Sequence, residues 1–209
     1  MSDKSVSVVG GTARLVAIAA IAAVIVALAW QVTRRPIAEN LHAQRMAEFS
    51  AVLGSVSFDT LDYDNFMRIE APHDLPGDEA AIIYTAMRDD QVAAWVFVVQ
   101  AAGYNGPIRL MIGLNPALDV TAVRVLEHAE TPGLADGIER SKSDWIDGFN
   151  NERVVNESDP RWALRQQGGA FDSFTGASIT PRAIVHAVRD TVAWAKRNSE
   201  DRLGTKTDD

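Results

Sequence analysis

"AIIYTAMRDDQVAAWVFVV" occupies residues 81–99. Two apolar runs, 81–87 and 92–99, flank Arg88-Asp89-Asp90-Gln91. Both runs are short and rich in β-branched residues, which suit a pleated strand, and the polar tetrapeptide suits a reversal. The stretch therefore predicts a β-hairpin. A second pair follows: "IRLMIGL" (108–114) and "VTAVRVLEH" (120–128) flank Asn115-Pro116-Ala117-Leu118-Asp119, again turn chemistry. "RWALR" (161–165), ahead of "QQGG", reads as one more strand and turn. An antiparallel sheet is the expectation.

Outward from the sheet, the pattern changes period. Beyond Pro181 the apolar residues Ile184, Val185, Val188, Val192 and Ala195 form a helical stripe. Thr180 is the expected N-cap and Pro181 the expected first helical residue. Upstream, "HDLPGDE" (73–79) is loop chemistry. "RRPIAENLHAQRMAEFSAVLGS" (34–55) has helical spacing through Ile37, Leu41, Gln44, Ala47 and Val52, and Gly54 can end that helix. Before it, Leu15 to Thr33 carries no charge over 19 residues, enough to span a bilayer as a helix. Arg14 precedes this run, Arg34 and Arg35 follow it, and Trp30 suits an interface. Basic residues on both sides leave its orientation open. Ala27-Leu28-Ala29 also fits a signal-peptide cleavage site, so a removed leader is the competing reading.

The expected organisation is a short tail (1–14), a transmembrane helix (15–33), a juxtamembrane helix (34–54), an α+β domain (55–199) and a flexible tail (200–209). The fold class is α+β: one membrane helix, then a domain with an antiparallel sheet closed by a C-terminal helix.

Net charge is −8 over 209 residues, and the part beyond residue 33 carries −9. A polyanion repels phosphate backbones, which argues against nucleic acid as a partner. The absence of cysteine excludes disulfides, thiolate metal sites and cysteine nucleophiles. His128-Ala129-Glu130 offers two metal-ligand types with no third nearby, so no metal site is assigned. His42, His73 and His186 follow no pattern.

"FDSFTGASIT" (171–180) sets Ser173, Thr175, Ser178 and Thr180 around Gly176, just ahead of a helix. A capped helix behind a polar turn would explain Thr180-Pro181, but not the rest. Gly176 permits close backbone approach, and a helix N-terminus favours phosphate. A serine hydrolase is disfavoured, because Gly-Ala-Ser-Ile-Thr is not a nucleophile elbow.

Asp172-Ser173-Phe174-Thr175-Gly176-Ala177-Ser178 resembles the D-x-x-[S/T]-G-A-[S/T] signature of proteins with covalently bound FMN. Gly103-Tyr104-Asn105-Gly106-Pro107-Ile108 and His128-Ala129-Glu130-Thr131-Pro132-Gly133-Leu134 resemble the G-Y-x-G-P-I and H-x-E-T-P-G-L motifs of the G subunit of Rnf ion-translocating electron-transport complexes. "KSDWIDGF" (142–149) also fits that family. Serine at 178 departs from the commoner threonine, and Ala135 from a frequent glycine.

The resemblance implies that a flavin transferase takes FMN from FAD and joins its phosphate to Ser178. It implies that Asp172, Thr175, Gly176 and Ala177 complete the motif, and that Glu130, Thr131, Pro132, Gly133 and Leu134, with Tyr104, wall the cofactor. It further implies an inner-membrane, single-pass electron relay between ferredoxin and NAD, with its domain periplasmic. Its partners would be other Rnf-type membrane subunits, one carrying a second covalent flavin, and it would have no turnover alone. The related C subunit of sodium-pumping NADH:quinone reductase shares the flavin motif but is usually longer. A cofactor-free anchored binding or assembly protein is the alternative from another class. Trp95, Trp145 and Trp162 are expected in the core.

Overall fold

The computed structural model describes residues 15–28, 30, 46–54, 56–61 and 66–203. The chain divides into two compact units, Met1–Glu48 and Phe49–Asp209. In the first, residues 15–28 are helical and exposed, with Leu15, Val16, Ile18 and Val26 each more than 60% accessible. Among the described residues no helix is long and apolar enough to cross a membrane. Residues 29 and 31–33 of the expected span, most of the 34–54 helix and both tails, apart from residues 200–203, lie outside the described residues.

The second unit is built on six antiparallel strands: β1 (Thr60–Leu61), β2 (Met67–Ile69), β3 (Ala81–Arg88), β4 (Gln91–Ala102), β5 (Pro107–Leu114) and β6 (Val120–Glu127). Their order is β1-β3-β4-β5-β6, and β2 shares the outer edge of β3 with β1. The hairpin expected at 81–99 is β3–β4. Asp89 and Asp90 have φ of 52° and 60°, the left-handed pair that matches a two-residue turn to the twist of its strands.

The long strand β4 is buried on both faces, which is why 92–99 reads as an unbroken apolar run. Trp95, Phe97, Val99 and Ala101 enter one core, while Ala94, Val96 and Val98 enter another. The first core is closed by the C-terminal helix Ile179–Arg197 through Ile184, Val185, Val188 and Val192. All four are fully buried, and each contributes about 1.5–3 kcal/mol of transfer free energy. The second core is capped by Phe49, Val52 and Leu53 of a helical segment that Gly54 ends with φ 60°. That segment sits directly on Gly113, where a Cβ would collide with the Val52 carbonyl oxygen. The Thr121 hydroxyl donates to the same oxygen at 2.5 Å.

Three local expectations are corrected. "WALR" is not a strand: Leu164 makes one isolated bridge to Phe171, and Arg165–Gln167 is a 3-10 turn. Gly168, with φ 87°, and Gly169, whose Cβ would overlap the Ala163 carbonyl, fold the chain back too sharply for a ladder. The C-terminal helix begins at Ile179, with Ser178 rather than Thr180 in the N-cap position and Pro181 as the third helical residue. The short strands β1 and β2 were not foreseen.

Candidate functional site

The hydroxyl-rich segment 171–180 is pinned by its two phenylalanines. Phe171 is buried and stacks on Phe149, with ring centroids 4.5 Å apart. Phe174 lies against Trp145 at 5.3 Å and so close to Gly137 that a Cβ there would meet its ring at 2.9 Å. Trp145 is half-buried, and its indole N–H donates to the Asp172 carbonyl at 2.9 Å. The Asp172 carboxylate points outward and pairs with exposed Arg165 at 3.2 Å. Between the anchors, Ala177 N–H returns to the Phe174 carbonyl at 3.1 Å. The resulting tight turn needs φ of +79° at Gly176, a conformation disfavoured for any residue with a Cβ. Space is not what selects this glycine, because nothing lies within 4 Å of its Cβ direction.

This turn delivers Ser178 to the helix start. The Ser178 side chain is half-buried and makes no capping hydrogen bond, so its hydroxyl is not committed to the helix. Pro181 contributes no N–H, which leaves Ile179 and Thr180 as the helical residues presenting unsatisfied donors near Ser178. The Thr180 hydroxyl is engaged elsewhere. It donates to Oε2 of Glu130, a residue 5% exposed. Asn105 N–H donates to Oε1 of the same carboxyl at 3.0 Å, and the Asn105 side-chain amide donates to the Thr131 hydroxyl at 2.9 Å.

Thr131-Pro132-Gly133-Leu134 is a turn closed by Leu134 N–H on the Thr131 carbonyl at 3.2 Å, with φ of +79° at Gly133. Proline second and a left-handed glycine third is type II turn chemistry. Behind it stands a charged brace. The Gly133 N–H is the chief influence holding the Asp136 carboxyl below its usual range, followed by Lys142. Lys142 Nζ bridges Asp136 at 3.0 Å and Glu139 at 2.7 Å, and with His128 it lowers the Glu139 carboxyl too. His128 Nδ1 accepts Glu130 N–H at 3.1 Å, so the ring proton sits on Nε2, facing Glu139 at 3.2 Å.

These pieces enclose a cleft of about 310 Å³. Tyr104, Glu130, Thr131 and Leu134 form one wall and residues 176–180 the other. Three large apolar side chains at this cleft stay open to solvent: Tyr104 at 69%, Leu134 at 52% and Ile179 at 47%. On the opposite side of Gly176–Ser178 lies a second cavity of about 440 Å³, bordered by Gln166, Ser173, Phe174 and Thr175. Ser178 borders both. A larger cavity, about 510 Å³, lies elsewhere beside Arg68, Glu79 and Gln100. It contains no motif residue, and at its rim Arg68 pairs with Glu70 and Gln100 with Glu79.

Of the residues singled out in the sequence, Tyr104, Glu130, Thr131, Leu134, Gly176, Ala177 and Ser178 meet at the first cleft. Thr175 faces the second cavity. Pro132 and Gly133 form the turn's corner and Asp172 lies outward, and none of the three lines either cavity. Sequence reasoning missed Ile179, the Thr180–Glu130 bond and the Asn105 contacts. Asn105 was signalled only by its place inside Gly-Tyr-Asn-Gly-Pro-Ile. Trp145 was expected as core and instead also fastens the motif. The donor set suits a phosphorylated aromatic cofactor: an uncommitted hydroxyl at a helix N-terminus, beside an apolar cleft with polar backbone at its edge.

A family described as the FMN-binding domain matches residues 103–193, which contain every residue lining that cleft. The G subunit of the ion-translocating oxidoreductase complex of Shewanella loihica is 35% identical over 198 residues, covering 94% of this chain and 93% of that protein. This chain belongs to the family of those G subunits. The counterpart from Pseudoalteromonas atlantica is 38% identical over 167 residues, 78% of either chain. That of Haemophilus influenzae reaches 48% over 108 residues, covering about half of each. Among solved structures, NqrC of Shewanella oneidensis superposes with a TM-score of 0.48 at 17% identity, covering 64% of this chain and 70% of that one. The FMN-binding match begins at Gly103, directly after β4, so the β3–β4 hairpin lies outside it.

Proposed function

We propose that the chain is an electron-relay subunit of a membrane-bound ion-translocating oxidoreductase complex working between ferredoxin and NAD, with FMN joined through its phosphate to Ser178 Oγ. One observation carries the residue assignment. Ser178 has a hydroxyl free of capping duty at the junction of both cavities, whereas Thr180 is tied to Glu130. The attachment balances as a transfer from FAD: a Ser178 O–P bond forms, the pyrophosphate P–O bond breaks, and AMP leaves with the serine proton.

When bound, the isoalloxazine supplies the electron chemistry, and the protein supplies place and environment. Ser178 fixes the phosphate end, and the N–H groups of Ile179 and Thr180 favour its negative charge. Tyr104, Leu134 and Ile179 offer apolar surface that would otherwise face water. The turn Thr131–Leu134, held from behind by Asp136 and Lys142, gives that surface a fixed backing. In this reading the chain relays electrons and has no turnover of its own. Residues 15–33 are the anchor in this reading, and residues 55–199 are a periplasmic domain that meets the other membrane subunits, one with its own covalent flavin.

The test is the full chain, co-expressed with a flavin transferase and run denatured under ultraviolet light. A fluorescent band, with FMN mass on the peptide containing Ser178, is expected. Ser178→Thr keeps the band. Ser178→Ala loses it while unfolding within about 0.5 kcal/mol of wild type, as befits one half-buried hydroxyl. FMN on Thr175 or Thr180, or a wild-type chain without the band, would refute the assignment.

A further inference from the structure

Glu130 is the only charged residue type among the buried residues described. Both carboxyl oxygens accept from neutral donors, Asn105 N–H on Oε1 and the Thr180 hydroxyl on Oε2. Among the described residues it has no cationic partner. A carboxylate buried without a counter-charge costs stability, and a neutral side chain of the same shape is often as good or better for folding. The fold nevertheless makes room for it. Gly103 passes so close that a Cβ would stand 2.5 Å from Glu130 Oε1, so only glycine leaves the carboxylate its place. The side chain borders the cleft beside Ser178 and Tyr104, where low exposure keeps water and salt from screening it.

We infer that Glu130 sets the reduction potential of a flavin held in this cleft. The inference rests on the function proposed above. A fixed negative charge beside a group that gains electrons disfavours the reduced form, so Glu130 holds the potential low. Its two hydrogen bonds serve that end by keeping the carboxylate in position, joining the loop at 103–106 to the first turn of the C-terminal helix. Glu130 acts as a positioning and electrostatic residue, forming and breaking no covalent bond. Of the other charged groups near this region, Lys142 pairs with Asp136 and Glu139 behind the turn, Arg165 pairs with the outward-pointing Asp172, and Arg182 of the C-terminal helix lines a different cavity with Gln100 and Asp190.

The experiment is a spectroelectrochemical titration of the flavin-loaded full chain in detergent, at alkaline pH. Glu130→Gln retains an acceptor for Asn105 N–H and an amide for Thr180 but removes the charge. Its potential should rise, and the rise should persist at high salt, because a buried charge is little screened. Exposed Glu127→Gln, three residues away, should leave the potential unchanged. Thr180→Val keeps the charge and removes one of its donors, so its potential should fall. These opposite signs separate an electrostatic role from general loosening, which would move both variants the same way. An unchanged or lowered potential in Glu130→Gln overturns the inference. If Glu130→Gln fails to fold, an unchanged or raised potential in Thr180→Val overturns it instead. A wild-type chain carrying no FMN refutes the proposed function itself.

Discussion

Gly103→Ala tests how tightly the cleft wall is built. Gly103 is not among the glycines with left-handed φ, so alanine brings no backbone penalty, and the whole effect is crowding. The added Cβ would lie 2.5 Å from Glu130 Oε1, 2.6 Å from the Gly106 carbonyl oxygen and 2.8 Å from Ile108 Cδ1. The Ile108 methyl can move, although its side chain is fully buried. The Gly106 carbonyl belongs to the same tight loop. Glu130 can withdraw only by giving up the Asn105 N–H or the Thr180 hydroxyl. Overpacking of this kind costs about 1–3 kcal/mol, and a lost hydrogen bond to a charged group about 1.5–3 kcal/mol. Because the strain is relieved by one route or the other, the expected destabilisation is about 1–3 kcal/mol rather than the sum. For a domain of this size that lowers Tm by roughly 2–12 °C. Thermal unfolding followed by circular dichroism reads it directly. A variant melting within about 2 °C of wild type would show that the 103–106 loop yields freely and that Glu130 is not locked.

Gly176→Ala meets no crowding but must hold φ near +79°, so it should cost about 1–2 kcal/mol in denaturant titration and reduce the fluorescent flavin band. A full-strength band would show that the turn tolerates rearrangement. The brace behind the turn predicts a pH effect. Asp136 and Glu139 titrate below their usual values, so their contribution is present above about pH 4.5 and is lost as the pH falls through the lowered values. Lys142→Met should flatten that acid-side loss in urea midpoints measured against pH, with most of the change from Glu139, for which Lys142 is the first cause. Parallel pH profiles would contradict it. A phosphatase reporter fused after Asp209 should be active only in exported chains retained in the membrane fraction. Activity in a soluble fraction would remove the anchor.

The hairpin at 81–99 was legible because its polar turn and apolar runs are local signals. The same holds for β5, β6 and the body of the C-terminal helix. What escaped depends on contacts far along the chain. The short β1 and β2 are strands only because the edge of β3 is there to pair with them. "WALR" carries strand-like residues, but two glycines after it turn the chain before a ladder can form. Thr180 has ordinary N-cap chemistry, yet Glu130, fifty residues earlier, claims its hydroxyl and leaves the cap position to Ser178. The cleft followed the same rule. Its motif residues were readable one stretch at a time, while Ile179 and the Asn105 bonds emerge only once the loop, the turn and the helix are brought together.

Ser178 stands at the head of a 19-residue helix whose inner face is buried against the strands of the sheet. On the proposed reading, whatever is bonded to that oxygen is mounted at the head of a helix packed along its length against the core. Tunnelling rates fall off exponentially with separation, so the average rate is governed as much by the spread of donor–acceptor distances as by their mean. A tether rooted here narrows that spread at its protein end. The domain would then act as a ruler: were it to dock or tilt as a body, a flavin held there would have its distance to each neighbouring redox centre reset in one step.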